Sequence, residues 1–318
     1  MKKKLIILTG PTSVGKTGLS IRLAKAVNGE IISADSMQVY KGMDIGTAKI
    51  TKDEMNGVKH YLIDCLEPDE TLSVALFQKL AKDAMEEIYE KGKIPVIVGG
   101  TAFYIQALLY DIDFNEEDDE DNSYRNKLYQ IAETEEGKIS LHNQLREIDP
   151  EYAQSVHYNN AKRVIRALEY FEHTKEKFSV YNKKQKEKSS QYDFCYFVLN
   201  DKRESLYANI NKRVDIMMEM GLLEEVKSIY EKNYDKNLTA MQAVGYKELF
   251  AYFDKEATLE EAVDMIKQNT RHLAKRQLTW FRKERDVIWV NKDEFAYDEE
   301  KMFAFIMEQI KNMELKNE

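Results

Sequence analysis

Residues Gly10 to Thr17 read G-P-T-S-V-G-K-T. Gly10, Pro11, Thr12, Ser13, Val14, Gly15, Lys16 and Thr17 thus fit the spacing G-x-x-x-x-G-K-[ST] of a phosphate-binding loop. An apolar run from Leu5 to Leu8 precedes the loop and a helical pattern begins near Lys16, so strand, loop and helix occur in the required order. Glycines let backbone N–H groups point at phosphate oxygens, and a helix N-terminus adds positive potential. Lys16 is placed to reach a terminal phosphate and Thr17 to offer its hydroxyl to Mg²⁺. The expected ligand is a di- or triphosphate.

Other chemistry follows at the ends of later apolar runs. Glu30 to Ala34 reads as a strand delivering Asp35 at its carboxyl end, the edge that faces the ligand crevice in open α/β sheets. Ile94 to Val98 is a further buried strand, ending in Gly99-Gly100-Thr101. Many phosphate-loop NTPases carry a Mg²⁺-holding aspartate at such a point. Its absence here argues against a plain ATPase, and the glycines are expected to let another molecule approach the backbone.

The elements that must position these groups belong to a long chain of 318 residues, 32% of them charged, with 13 Gly and 4 Pro. That composition fits an ordered, helix-rich globular protein. The net charge of −9 argues mildly against nucleic acid, but the basic residues are unevenly spread. Cys65 and Cys195 form no C-x-x-C pair, which excludes a zinc finger and suggests a reducing compartment. Met1, three lysines and four apolar residues are too short for a signal peptide and lead straight into the phosphate loop. No stretch approaches the ~18 apolar residues of a membrane span. A soluble, cytoplasmic monomer without membrane contact is expected.

Periodicity predicts helices over Gly18 to Val27, Ser73 to Lys91 and Ala102 to Tyr110, and a third strand over His60 to Asp64. The acidic run from Asp113 to Asp121 reads as a solvated linker and domain boundary. Helical patterns then dominate: Arg125 to Ile131, Ile139 to Ile148 and Asn160 to Thr174, with Asp149-Pro150 as a break and Lys183 to Lys188 as a solvated loop. Strand character returns at Asp193 to Leu199 and at Val287 to Val290. Thr258 and Glu261 form a capping box opening a helix to about Lys283, read as the last long helix. The fold class is α/β: a P-loop NTPase-like parallel sheet with helices on both faces, plus an all-helical inserted domain. Residues 1–112 and 193–318 make the core, and 113–192 the insertion.

Basic residues concentrate on two helices. Lys162, Arg163 and Arg166 share one, while Arg271, Lys275, Arg276, Arg282, Lys283 and Arg285 lie on or just beyond the other, with Gln277, Trp280 and Phe281 interleaved. Basic helices with polar and aromatic neighbours suit RNA phosphates and unstacked bases. The alternative is a solvated helix face. Arg213 reads equally as a surface cation or a phosphate clamp.

In order, the motifs G-P-T-S-V-G-K-T, S-A-D-S, Y-K-G-M-D-I-G-T-A-K, V-G-G-T, K-R-V-I-R-A-L-E, A-V-G-Y-K-E and R-H-L-A-K-R-Q-L-T-W-F resemble bacterial tRNA dimethylallyltransferases, from Leu5 to about Trp289. The resemblance implies transfer of a dimethylallyl group from dimethylallyl diphosphate to N6 of adenosine 37 in tRNAs reading codons that begin with U, with pyrophosphate leaving. It implies that Gly10 to Thr17 hold a diphosphate leaving group, with Thr17 acting through Mg²⁺ as cofactor and Arg213 adding charge. Asp35 matches the general base, and Thr101 would meet the adenosine. Contacts to the tRNA anticodon stem-loop are implied for Asp35, Ser36, Met37, Gln38, Thr101, Arg125, Lys162, Arg163, Val164, Ile165, Arg166, Gln242, Ala243, Val244, Gly245, Tyr246, Lys247, Arg271, Lys275, Arg276 and Gln277. Nothing matches the C-terminal zinc finger of eukaryotic relatives. The rival readings are an adenylate isopentenyltransferase, a P-loop kinase requiring ATP, and a non-catalytic RNA-binding protein.

Overall fold

A computed structural model of the chain describes residues 2–113 and 123–315. Most of the acidic run from Asp113 to Asp121 lies outside the described residues. The chain divides into two compact units, 1–109 with 191–318, and 110–190. No helix among the described residues is long and apolar enough to cross a membrane.

In the first unit, β1 (Lys3–Thr9) leads through the phosphate loop into α1 (Lys16–Ala26) and β2 (Gly29–Ser33). Next come β3 (His60–Tyr61), α2 (Val74–Glu90), β4 (Ile94–Gly99) and α3 (Ala102–Leu109). The second unit holds α4 (Ser123–Ile131), α5 (Glu135–Ile148), α6 (Pro150–Ser155), α7 (Ala161–Thr174) and α8 (Phe178–Glu187). The first unit then resumes with β5 (Tyr192–Asn200), α9 (Arg203–Glu219), α10 (Leu222–Tyr230), α11 (Tyr246–Phe253), α12 (Leu259–Phe281), β6 (Val287–Asn291) and α13 (Glu299–Leu315).

All six strands pair in parallel, in the order β3-β2-β4-β1-β5-β6. The four inner strands β2, β4, β1 and β5 are mostly buried, which explains why they read as apolar runs, whereas the edge strands β3 and β6 are half-buried. Ile6 and Leu8 of β1 pack with Ile21, Leu23 and Ala24 of α1 and Ile306 and Ile310 of α13. Their pleat neighbours Leu5 and Ile7 are fully buried as well. The α1 crossover runs from β1 past β4 to β2, whereas α2 returns from β3 past β2 to β4. Right-handed crossovers running in opposite directions land on opposite faces. Every loop leaving a carboxyl end therefore gathers on one edge, and Asp35, Gly100, Thr101 and the phosphate loop share it.

Three expectations need correction. The third strand covers only His60–Tyr61, because Leu62 and Asp64 take left-handed backbone angles, φ 60° and 53°. Lys183 to Glu187 are not loop but the end of α8. That helix is anchored by Phe178, which packs against Tyr152, Tyr170 and Tyr181, and Asp149 accepts the Ser179 N–H at 2.7 Å. The helix from Thr258 is followed by another long one, α13, so it is not the last. Its capping box is present, Thr258 Oγ1 accepting from Glu261 N and Glu261 from Thr258 N.

The junction between β2 and β4 tolerates no side chain. A Cβ on Gly99 would lie 2.3 Å from the carbonyl carbon and oxygen of Ala34. Gly99→Ala is therefore expected to cost roughly 1–3 kcal/mol of stability, read as a lower urea midpoint at unchanged m-value.

Candidate active site

The phosphate loop is shaped by residues in unusual backbone conformations. Gly15 sits at φ +94° and Ser13 at +62°. A Cβ on Gly10 would strike the Leu199 carbonyl at 2.3 Å, so the loop is pressed against the end of β5. Val14 is buried beneath it as an anchor. The Lys16 ammonium donates to the Gly10 and Pro11 carbonyls, both at 2.9 Å. No acidic residue lies in the first turn of α1, so its N-terminal potential stays positive.

The opposite wall comes from β2 and β4. Asp35 Oδ1 accepts the Met37 N–H at 2.9 Å, and Thr101 Oγ1 accepts the Ser36 N–H at 3.2 Å. The Thr101 N–H in turn donates to the Ala34 carbonyl, 3.2 Å. Gln277 of α12 bridges the two walls, accepting from Thr12 N at 2.9 Å and donating to Gly100 O at 3.1 Å.

Between the walls is a cavity of about 250 Å³ lined by Thr12, Ser13, Gly15, Lys16, Thr17, Asp35, Gln38, Thr47, Gly99, Gly100, Arg213 and Gln277 among others. A second, of about 120 Å³, shares Thr12, Asp35, Thr47, Ala48, Arg213 and Gln277 with it. It adds Met37, Val214, Met217, Leu222, Val244 and Leu273, which make it more apolar. Burial lowers the Lys16 pKa to about 8, against the raising effect of nearby Asp35 and with a further lowering by Arg213. Burial likewise lowers the Arg213 pKa, partly offset by Asp35 and Glu54. Neither cation forms an ion pair with Asp35 among the described residues. Two desolvated cations and one carboxylate thus face a space sized for a small anion.

The IPP transferase family model matches residues 38–284. A tRNA dimethylallyltransferase from Lachnoclostridium phytofermentans is 57% identical over 294 residues, covering 92% of this chain and 93% of the relative. Another from Acetivibrio thermocellus is 50% identical over 295 residues, covering 93% and 94%. The crystal structure of a tRNA isopentenylpyrophosphate transferase from Bacillus halodurans aligns over 100% of both chains, with 43% identity and a TM-score of 0.72. A eukaryotic dimethylallyltransferase solved acting on tRNA is 32% identical, covering 91% of this chain and 74% of its own, with a TM-score of 0.78. The chain belongs to the IPP transferase family.

In this family member the motif residues divide by location. Lys16, Thr17, Asp35, Arg213 and Gln277 converge on the cavities, whereas Gly10, Pro11 and Val14 are buried and Thr101 and Ser36 line neither cavity. Val164 and Ile165 are not RNA contacts by side chain. Each is 1% exposed in the core of the helical unit, because a helix face that presents Lys162, Arg163 and Arg166 outward turns its alternate residues inward. Tyr246 is fully buried and donates to Glu225, so it too is structural. Ala243, Val244 and Gly245 line the second cavity, Gln242 donates to the Lys236 carbonyl, and Lys247 lies exposed beside Glu248. Arg125 pairs with Glu169 at 2.7 Å, and Arg271 donates to Asn211 at 2.7 Å. Lys275 and Arg276 are exposed. Gly99 and Gly100, at the end of β4, line the first cavity and also accommodate the chain itself: a Cβ on Gly99 would meet Ala34, and one on Gly100 would lie 2.2 Å from the Gln277 amide. Lys292, just after β6, went unnoticed in the sequence; its ammonium reaches the Val14 carbonyl at 3.3 Å and no local motif marks it.

The lowered Lys16 pKa has a definite sign. Its unfolded value is 10.5, so the cost of burying the ammonium is fully present below pH 8 and fades as pH rises toward 10.5. Lys16→Met is expected to raise the unfolding free energy at pH 7 by no more than roughly 3 kcal/mol, read as a higher melting temperature, and to lose that gain near pH 10. Pyrophosphate binding by the same variant, measured by calorimetry, should be abolished.

Proposed function

We propose that this protein transfers the dimethylallyl group of dimethylallyl diphosphate to N6 of adenosine 37 in tRNAs that read codons beginning with U, releasing pyrophosphate. One observation carries the reading: Asp35 shares a cavity with Lys16 and Arg213 and is ion-paired to neither. A carboxylate so placed remains available as an acceptor for a proton, beside cations available to an anion.

The adenine amine attacks the first carbon of the dimethylallyl group as the bond from that carbon to the diphosphate oxygen breaks. The amine proton becomes acidic only as the new C–N bond forms, and Asp35 accepts it, a contribution of roughly 10²–10⁴ in rate. Its Oδ1 is held by the Met37 N–H, which leaves Oδ2 for that proton. Lys16, Arg213 and the α1 N-terminus stabilise the charge gathering on the departing pyrophosphate. Adenosine 37 must leave its stack to reach this depth.

Mg²⁺ fits as an ion carried with the diphosphate. Among the described residues no three His, Cys, Asp or Glu side chains cluster to hold a metal by themselves, while the Thr17 hydroxyl lines the cavity at the start of α1. Thr17 would hold the ion together with diphosphate oxygens, and the ion supplies charge neutralisation for the leaving group. Neither Cys65 nor Cys195 is in a disulfide, which agrees with a cytoplasmic setting.

Incubation with bulk tRNA and labelled dimethylallyl diphosphate, without any nucleoside triphosphate, should label the tRNA; a strict ATP requirement would point to a kinase instead. Asp35→Asn should lower kcat by roughly 10² or more while leaving tRNA and pyrophosphate affinities within a few-fold. Near-normal turnover in that variant would sink the base assignment.

RNA binding by a chain of net charge −9 must rest on local basic surface. Lys275 and Arg276 supply it on α12, with no ion pair among the described residues. Each neutralised phosphate contributes about −0.7 to −0.9 to the slope of log K against log salt. Replacing both with Ala should therefore flatten the slope of tRNA binding by about one to two units and spare pyrophosphate binding.

A further inference from the structure

The turn Asp44 to Gly46 presents three consecutive backbone N–H groups, and all three donate to one side chain. Glu225 of α10 accepts from Asp44 N at 3.0 Å and Ile45 N at 2.7 Å through Oε2, and from Gly46 N at 3.0 Å through Oε1. Oε1 also accepts the Tyr246 hydroxyl at 2.6 Å. Tyr246 begins α11, and its ring lies so near the turn that a Cβ on Gly46 would meet it at 2.6 Å. Lys49 braces the same turn, binding the Tyr40 carbonyl at 2.7 Å and Asp44 at 2.6 Å, and Gln38 donates to the Thr47 and Ala48 carbonyls at 3.3 and 3.2 Å.

Both segments that Glu225 joins line the second cavity: Gly46, Thr47 and Ala48 from the turn, Ala243, Val244 and Gly245 from the approach to α11. That cavity contains Asp35, Arg213 and Thr12 but neither Lys16 nor Thr17, so of the two cavities it is the one set apart from Lys16 and Thr17. We propose that Glu225 is a positioning residue that fixes the opening of this cavity for a planar base, the acceptor adenine. This rests on the prenyl-transfer reading above.

A carboxylate suits the task because it only accepts, and three backbone donors plus a hydroxyl need four acceptor sites. Hydrogen bonds to an ionised acceptor are also stronger and shorter than neutral ones, and consecutive N–H groups form a natural anion nest. A glutamine keeps the shape but turns an amide NH2, itself a donor, toward backbone or hydroxyl donors. The released turn can then drift, and misplacement by about 1 Å is enough to cost up to ~10²-fold in rate.

The test compares Glu225→Gln and Tyr246→Phe with the parent protein. Glu225→Gln should raise KM for tRNA by about tenfold, with KM for dimethylallyl diphosphate and Kd for pyrophosphate unchanged within error. Tyr246→Phe should move KM for tRNA in the same direction by less. In both, hydrogen exchange at the amides of residues 44–46 should accelerate. Unchanged KM for tRNA despite lost amide protection overturns the proposal, as does an equal loss for both substrates that tracks a fall in melting temperature. If the parent protein prenylates no tRNA, the reading of the previous subsection fails; affinity for an anticodon stem-loop RNA then decides, and no change in Glu225→Gln overturns the positioning role.

Discussion

Three ionised side chains from three different elements face one cavity without pairing. Lys16 opens α1, Asp35 follows β2 and Arg213 lies on α9. Two cations against one carboxylate leave a net positive charge partly removed from water, an arrangement that folding alone disfavours. The lowered pKa values of Lys16 and Arg213 are the signature of that penalty. The diphosphate proposed as ligand would remove it. Much of the first unit's architecture can be understood as the scaffold that keeps these groups together but apart, since a direct Lys16–Asp35 bridge would neutralise the proposed base and the proposed anion site at once.

The scaffold works through close backbone approaches. The Leu199 carbonyl against Gly10, Ala34 against Gly99 and the Gln277 amide against Gly100 lock β5, β1, β4, β2 and α12 to one another at the carboxyl edge. Glycines at the end of a strand invite the idea of a ligand lying on the backbone, and Gly99 and Gly100 do line the first cavity, but the Cβ that each lacks would meet the chain's own atoms. Local sequence shows that a side chain is missing and is silent on what fills the space.

That distinction explains which features could be read in advance. The phosphate loop is contiguous, so its eight residues carry their own geometry, and Asp35 was legible because a strand edge implies a crevice. The strands of the sheet were legible as apolar runs, apart from β3, whose pairing ends where left-handed angles begin. Gln277, Glu225 and Lys292 act across 265, 179 to 181 and 278 positions of chain, and no window of sequence holds both partners. Helix α8 escaped for a similar reason. Its sequence is lysine-rich, and what steadies it is Phe178 among three tyrosines and an aspartate, Asp149, that also caps α6. Motif matching made the opposite error with Val164, Ile165 and Tyr246: recurrence in a motif marks packing as readily as contact.

Polar satisfaction separates the two uses of charge in this fold more sharply than residue type does. Glu30, only 5% exposed, receives Lys93 at 2.7 Å, Lys91 at 3.1 Å and the Tyr61 hydroxyl at 2.8 Å, and these partners lower its pKa against the opposing effect of burial. Glu87 extends the cluster to Lys59. Every charge there is answered within the chain, so the cluster has no unmet demand with which to recruit a ligand. Lys16, Arg213 and Asp35 are ions of the same kinds, partly withdrawn from water, but none of them has an ion-pair partner among the described residues. A buried ion with its full set of partners is architecture. One without them retains binding energy for something else, and in this molecule such ions meet where the loops leave the carboxyl ends of the strands.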